Sequence, residues 1–227
     1  MSNLTEKGFA KNTIRLAVAT LRVVLNSAAE DGILASNPAV RLGRFLQSDK
    51  ATHKAQAMTR EEAQIFLEAA KEFYPEFHSL FLMALRAGLR KGELLAVRWG
   101  DIQFGTSDND PNRYILSPAK LCAQAVHDTY YKSKKSRRAD MSRELRSVLL
   151  ELRDKRMLAA FMEGKASIAE DLVFPSKAGT VLDQSNLTQY HFRPCLDRAG
   201  LRRFRFHDLR HYAESRNMPN YSAIAAA

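Results

Sequence analysis

Between Trp99 and Arg138 the hydrophobic pattern of this chain changes period, and that break limits the fold more than any other feature. On both sides of it, apolar residues recur at three- and four-residue intervals, the spacing of an amphipathic helix. Inside it, Ile102 to Phe104, Tyr114 to Leu116 and Val126 to Tyr131 are short runs rich in β-branched and aromatic residues, separated by Gly, Asp, Asn and Pro. The expectation is a mainly α protein carrying one small antiparallel β-sheet, an α+β class. A basic turn, Lys132-Ser133-Lys134-Lys135-Ser136-Arg137-Arg138, follows the last run. Such a turn is often only a solvated loop, but it can also lie in a groove or bring a lysine to a scissile bond.

The helical stretches define the rest of the layout. Ile14, Ala17, Val18, Leu21, Val24, Leu25 and Ala28 form one stripe over residues 12 to 31, with Asn12 or Thr13 as the expected cap and Gly32 as the stop. Asn37-Pro38 starts a turn. A polar stretch without periodicity, 47–58, reads as a linker between a helical region, 1–46, and a larger domain, 59–227. Thr59 and Glu62 have capping-box spacing and open a helix that buries Ala63, Phe66, Leu67 and Ala70 and ends before Pro75. The next helix carries Phe77, Leu80, Phe81, Ala84 and Leu85 and stops at Gly88. Beyond the break, residues 142 to 162 are helical, with Leu145, Val148, Leu149, Leu152, Met157 and Phe161. Leu172 to Pro175 is extended, and Ser185 opens a helix running to Gly200.

Composition narrows the class of partner. The formal net charge is +10, which favours a polyanion, most simply nucleic acid, although a ribosomal or membrane-surface protein has the same balance. Hydrophobic residues make up 45% of the chain, enough for a packed core. No apolar run is long enough to span a bilayer, and the start lacks a signal-peptide layout. Cys122 and Cys195 lie far apart in no metal spacing, so reduced thiols and a cytoplasmic location are expected.

Two short segments hold the residues suited to chemistry. Arg90 is flanked by Gly88 and Gly92 at the start of a helix, where free N–H groups favour an anion, and Glu93 is placed to close the cap or to hold a neighbouring arginine. An ordinary helical corner with an exposed arginine has the same sequence. In Phe204-Arg205-Phe206-His207-Asp208-Leu209-Arg210-His211, helical spacing puts His207, Arg210 and His211 on one face and turns Leu209 to the core. A guanidinium fork beside an imidazole suits a phosphate, though a plain basic surface helix also fits. His207 and His211 have zinc-ligand spacing, but the Glu of a His-Glu-x-x-His protease is absent and no third ligand is evident. On α-helical spacing Lys11, Arg15 and Arg22 can touch a phosphate backbone or form a solvated face.

In order along the chain, Ala87-Gly88-Leu89-Arg90-Lys91-Gly92-Glu93-Leu94-Leu95-Ala96-Val97-Arg98-Trp99-Gly100-Asp101-Ile102, then Lys132 to Arg138, then His207-Asp208-Leu209-Arg210-His211 resemble the tyrosine recombinase, or phage integrase, family. The first and last pieces are specific together; the middle one is degenerate. The resemblance implies a catalytic domain preceded by part of a helical core-binding domain. It implies site-specific DNA recombination through a phosphotyrosine, without metal or other cofactor. Arg90 and Arg210 would clamp the phosphate, Lys132 would protonate the leaving oxygen, and His207 would assist proton transfer, with His211 and Glu93 in support. Lys134, Lys135, Arg137 and Arg138, with Lys11, Arg15 and Arg22, would bind double-stranded DNA.

The sequence departs from that family at both ends. The family's nucleophilic tyrosine lies several helical turns beyond the His-x-x-Arg motif, whereas Tyr212 falls inside the motif helix and Tyr221 comes too early to match, leaving it a nucleophile only if a flexible tail brings it near. The N-terminal region also lacks helices the family has. The expectation is a truncated recombinase that binds DNA without cleaving it and is a monomer in free solution, joining other protomers only on DNA. The alternative is a non-catalytic DNA-binding module or regulator of a full-length recombinase. A metal-dependent nuclease using His207 and His211 is the third reading.

Overall fold

The computed structural model describes residues 6–42, 57–117 and 138–216, which divide between two compact units, Met1–Lys54 and Ala55–Ala227. In the first, α1 (Lys11–Glu30) begins two to three residues earlier than its expected capping residues suggest. Ala10 holds the cap position and no side chain caps the helix. Asn12 and Thr13 already lie in the first turn, behind the free N–H groups a cap must face. The stop at Gly32 does form. Gly32, with φ of 73°, donates to Ala29 O at 3.2 Å, and Ile33 donates to Ala28 O at 2.9 Å. These two bonds satisfy the last carbonyls of the helix. Asn37 then ties the tail back: its Nδ2 donates to Arg22 O at 3.0 Å and its Oδ1 accepts from Ala39 N at 2.7 Å. Only a narrow line of α1 is covered, at Ile14 and Val18; Leu21 and Val24 of the expected stripe are exposed.

In the second unit, α2 (Arg60–Phe73) and α3 (Pro75–Ala87) form a helical pair. The Thr59 hydroxyl accepts from Glu62 N at 3.1 Å while Glu62 accepts from Thr59 N at 2.8 Å, the reciprocal cap its sequence predicts. A short α4 (Lys91–Ala96) leads into a three-stranded antiparallel sheet of β1 (Ile102–Gln103), β2 (Tyr114–Leu116) and β3 (Arg138–Asp140), in that spatial order. Ile115 sits opposite both Ile102 and Ala139. The run Val126 to Tyr131, expected as a strand, lies outside the described residues. The described third strand instead begins at Arg138, the last residue of the expected turn.

Ser142 caps α5 (Arg143–Met162), accepting from Leu145 N at 3.2 Å. Leu145 and Leu149 are fully buried, but in the last turns of α5 it is Ala160 that is buried, and Met157 and Phe161 are exposed. Asp183, not Ser185, caps the next helix, since its carboxylate accepts from both Ser185 N and Asn186 N, at 2.9 and 2.7 Å. That helix is one turn of α6 (Gln184–Asn186), a π-helical segment (Leu187–Phe192) and α7 (Arg193–Arg198). Pro194 has no N–H and crowds the carbonyl four residues back, and the wider π turn absorbs this; Arg193 N reaches Thr188 O, five residues back.

The last described helix, α8 (Phe206–Arg216), is fixed to the centre by aromatic packing. Phe206 lies edge-on to Phe192 at 5.2 Å, Phe192 contacts Phe66 at 5.6 Å, and Phe66 contacts Phe81 at 5.2 Å. Each such pair adds about 1 kcal/mol beyond its burial. Residue 206 is thereby held firmly, and 207 onward start from a rigid point.

Candidate functional site

The corner between α3 and α4 sets Arg90. Gly88 ends α3 in the left-handed region, φ 61°, and Leu89 is buried. Arg90 is then extended, and its backbone N–H donates to Glu93 Oε2 at 2.9 Å while its Nη1 donates to Glu93 Oε1 at 2.8 Å. Glu93 thus does both things its spacing allows. Its side chain is only 1% exposed and that of Arg90 53%, so a buried carboxylate grips one edge of an outward-facing guanidinium. Because α4 has only six residues, its dipole adds little, and any anion preference of this corner comes from Arg90 itself.

On α8, Leu209 is fully buried and His207, Arg210 and His211 share the opposite side, as helical spacing requires. Asp208 is buried at the start of the helix, where it accepts from Arg205 N at 2.8 Å and from Arg205 Nη2 at 2.9 Å. Burial raises its pKa, but the Arg205 hydrogen bonds and charge outweigh this and leave it below the usual aspartate value. His207 and His211 meet edge to face, with ring centres 4.8 Å apart.

Arg210 is the most constrained cation of the set. Its side chain is 11% exposed, and Nε and Nη2 each lie 2.7 Å from Glu214 Oε1. The other oxygen of Glu214 lies 3.5 Å from His211 Nδ1. Burial raises the Glu214 pKa, yet Arg210, with His211, brings it below the ordinary glutamate value. Glu214 escaped the sequence reading; the signal was there in its spacing of four from Arg210. Arg210 Nη1 is buried with no hydrogen-bond partner among the described residues. The same holds for Arg113 Nη1, Arg153 Nε and His191 Nδ1; Arg210 lines a cavity of about 200 Å³ with Gly88, Leu89, Arg138, Asp140 and Glu214, and His191 a separate, more apolar one of about 540 Å³.

One close approach joins the two segments. A Cβ built on Gly88 would lie 3.1 Å from the Cβ of Ala213. The Arg90 corner is therefore packed directly on the helix that carries His207 and Arg210. Arg138 borders the same cavity but is committed to the sheet: Nη2 donates to Pro111 O at 2.8 Å and the guanidinium covers the Tyr114 ring at 4.2 Å. Its expected place in a free basic turn is corrected accordingly. Lys132, Lys134, Lys135, Arg137, Tyr221 and Cys122 lie outside the described residues. Lys11, Arg15 and Arg22 are exposed on one side of α1, in the other unit.

Two potential nucleophiles are packed away. Tyr212 is 4% exposed, and Cys195 is fully buried, its thiol pushed up to about 12 by burial. No group of three metal-ligating side chains occurs among the described residues, and no described helix is long and apolar enough to cross a membrane.

The sequence pattern of the phage integrase family matches residues 56–221, which span the Arg90 corner, the sheet and α8. The chain belongs to the phage integrase family. A tyrosine recombinase XerC-like protein of Caldanaerobacter subterraneus subsp. tengcongensis is 27% identical over 222 residues, covering 92% of this chain. The match takes in 56% of that protein, so this chain spans about half the length of its curated relative. The fold of this integrase-family chain matches the Tn1549 transposon integrase in complex with a circular intermediate DNA, with TM-score 0.69, 16% identity, and 94% and 69% of the two chains covered. It also matches a lambda integrase dimer bound to a COC′ core site, with TM-score 0.60, 17% identity, and 95% and 69% covered. A third match is XerA recombinase, with TM-score 0.53, 20% identity, and 94% and 64% covered.

Proposed function

We propose that this chain binds double-stranded DNA and presents one phosphodiester to Arg90, His207 and Arg210 as part of site-specific strand exchange. The observation that carries the reading is the buried Nη1 of Arg210. A buried guanidinium donor without an acceptor is costly, about 1–3 kcal/mol, and a phosphate oxygen relieves that cost. Arg90 and Arg210 would bind the non-bridging oxygens and stabilise charge growing in the transition state. Lys132 is the proposed acid for the leaving oxygen. Glu93 and Glu214 orient the two arginines and carry no proton in the reaction. The strand-cleaving nucleophile is not Tyr212, which the core encloses. The proposal includes DNA binding without cleavage by this chain, as expected for Tyr221 at its position in the sequence. A role as a non-catalytic regulator of a full-length recombinase rests on the same binding.

The test is a nicked suicide duplex carrying the cognate core site. Tight binding with no covalent adduct supports the reading as a binder; an adduct abolished by Tyr221→Phe would establish cleavage and reject that half of it. Failure to bind duplex DNA at low salt would reject the whole.

The pH dependence should have a definite sign. Burial, then the charges of His211 and Arg210, hold the His207 pKa below its ordinary value of 6.5, against a smaller opposite pull from Asp208 and Glu214. The folded, DNA-free protein therefore favours neutral His207, contributing stability that is full above 6.5 and lost as pH falls through the lower folded value. A phosphate beside the ring favours the protonated form and raises that value. DNA affinity should rise as pH falls from 8 towards 6, and His207→Gln should flatten the dependence, read by fluorescence anisotropy at constant ionic strength.

A further inference from the structure

Beside His207, on the side away from Glu214's pairing with Arg210, a second hollow of about 390 Å³ opens between α4, the π-helical segment, α7 and the start of α8. Lys91, Thr188, Arg193, Arg205 and His207 line it, along with Phe204 and Phe206. We propose that this hollow is a second phosphate subsite, which takes a DNA phosphate neighbouring the one held by Arg90 and Arg210. The inference rests on the function proposed above.

The lining is almost all donors. Lys91 is half-buried and anchored, its Nζ 3.2 Å from both Gln184 O and Thr188 Oγ1. Two of its three protons are thereby directed, and the ammonium is held at the wall instead of sweeping through solvent. The Arg193 side chain is exposed and has no hydrogen bond or ion pair among the described residues. Arg205 is oriented by Asp208. The acids that face these groups are Asp183, which acts on Lys91 from the helix cap, and Asp208, which is already bonded to Arg205. Three basic side chains, Lys91, Arg193 and Arg205, thus outnumber the two acids at the hollow. Burial pushes the Lys91 pKa below the ordinary lysine value against the pull of Asp183, so an arriving anion would offset an existing penalty.

The same lining gives a base nothing to stack on. Phe204 and Phe206 are each only 6% exposed, and Arg202 covers Phe204 while Phe192 packs on Phe206. Neither ring offers a stacking face, and the N–H groups that adenine and cytosine present would face a wall of donors; only a guanine edge, all acceptors, could meet it. A phosphate needs donors alone. The choice of a neighbouring phosphate follows from His207, which lines this hollow and lies one helical turn from Arg210. Successive phosphates of one strand advance only about 3.4 Å along the DNA axis, so a strand seated on Arg210 continues past His207 into the hollow.

The test is anisotropy with a labelled duplex over a salt series, comparing the whole chain with Lys91→Gln, Arg193→Gln, Arg193→Lys, Lys155→Gln and Arg210→Ala. Arg193→Gln removes no described contact, so it reports on DNA even if Lys91→Gln loosens the π segment. The expected result is about a three- to tenfold loss for Lys91→Gln and Arg193→Gln with a salt slope shallower by about one. Arg193→Lys should keep most of the affinity. Lys155, exposed on α5 outside the hollow, should tolerate its change without altering the slope. Wild-type slopes for both subsite variants, with Arg210→Ala still impaired, would overturn the subsite and leave the parent reading intact. An equal loss in Lys155→Gln would also overturn it, as a general charge effect. No loss in Arg210→Ala would bring down both.

Discussion

Arg210→Ala should weaken duplex DNA binding by about ten- to hundredfold at moderate salt and make the salt slope shallower by about one. The size follows from what the side chain does while unliganded. Its Nε and Nη2 are already occupied by Glu214, and the remaining Nη1 is buried without a partner among the described residues. A hydrogen bond from that atom to phosphate replaces nothing, so its contribution should lie at the upper end for a charged pair. Removing the arginine also leaves the Glu214 carboxylate facing the DNA with no cation between them. Arg210→Lys should fail to rescue, because a single ammonium cannot serve Glu214 and a phosphate with the fork geometry. The double variant Arg210→Ala, Glu214→Ala should regain part of the loss, since it removes the uncompensated negative charge. Salt-titrated anisotropy decides the matter: wild-type affinity in Arg210→Ala would show that this buried guanidinium serves the fold and not an anion.

The two halves of that site were legible in the sequence to different degrees. Spacing within one helix fixes which side chains share a face, so His207, Arg210, His211 and the inward Leu209 could be read directly. The grip of Glu93 on Arg90 is equally local, three residues along one turn. Contacts between segments remote from each other along the chain have no such signature. Nothing in the order of residues announces that Gly88 lies against Ala213, or that Arg138 belongs to a strand beside Tyr114. Capping is legible in kind but not always in register: Asp183 and Ser185 are both capping residues, and the carboxylate reaching two N–H groups decided between them. The π turn ahead of Pro194 shows the same limit, since proline predicts a disturbance and not the form it takes. Glu214 was overlooked because an acid among basic residues reads as a surface ion pair, the commoner outcome at four-residue spacing.

Gly88→Val should destabilise the second unit by about 3 kcal/mol and Gly88→Ala by about 1–2 kcal/mol, with thermal unfolding as the measure. Two separate penalties combine. At φ of 61° any side chain is strained, and a Cβ would stand 3.1 Å from that of Ala213 on α8. A second substitution separates them. Ala213→Gly removes the opposing methyl, at about 1 kcal/mol of helix propensity. If the steric penalty is real, Gly88→Ala costs less in the Ala213→Gly background, and the residue of its cost is the backbone strain alone. The same cycle tests the site. In Gly88→Ala the corner must back away from α8 by a few tenths of an ångström, carrying Arg90 away from Arg210, and DNA affinity should fall further than the loss of folded protein explains. In the double variant the approach is restored, so affinity should recover more completely than stability does. Additive stabilities with no recovery of binding would mean that the corner and α8 do not act on one phosphate. Recovery of binding without full recovery of stability is the outcome expected of a shared anion between Arg90 and Arg210.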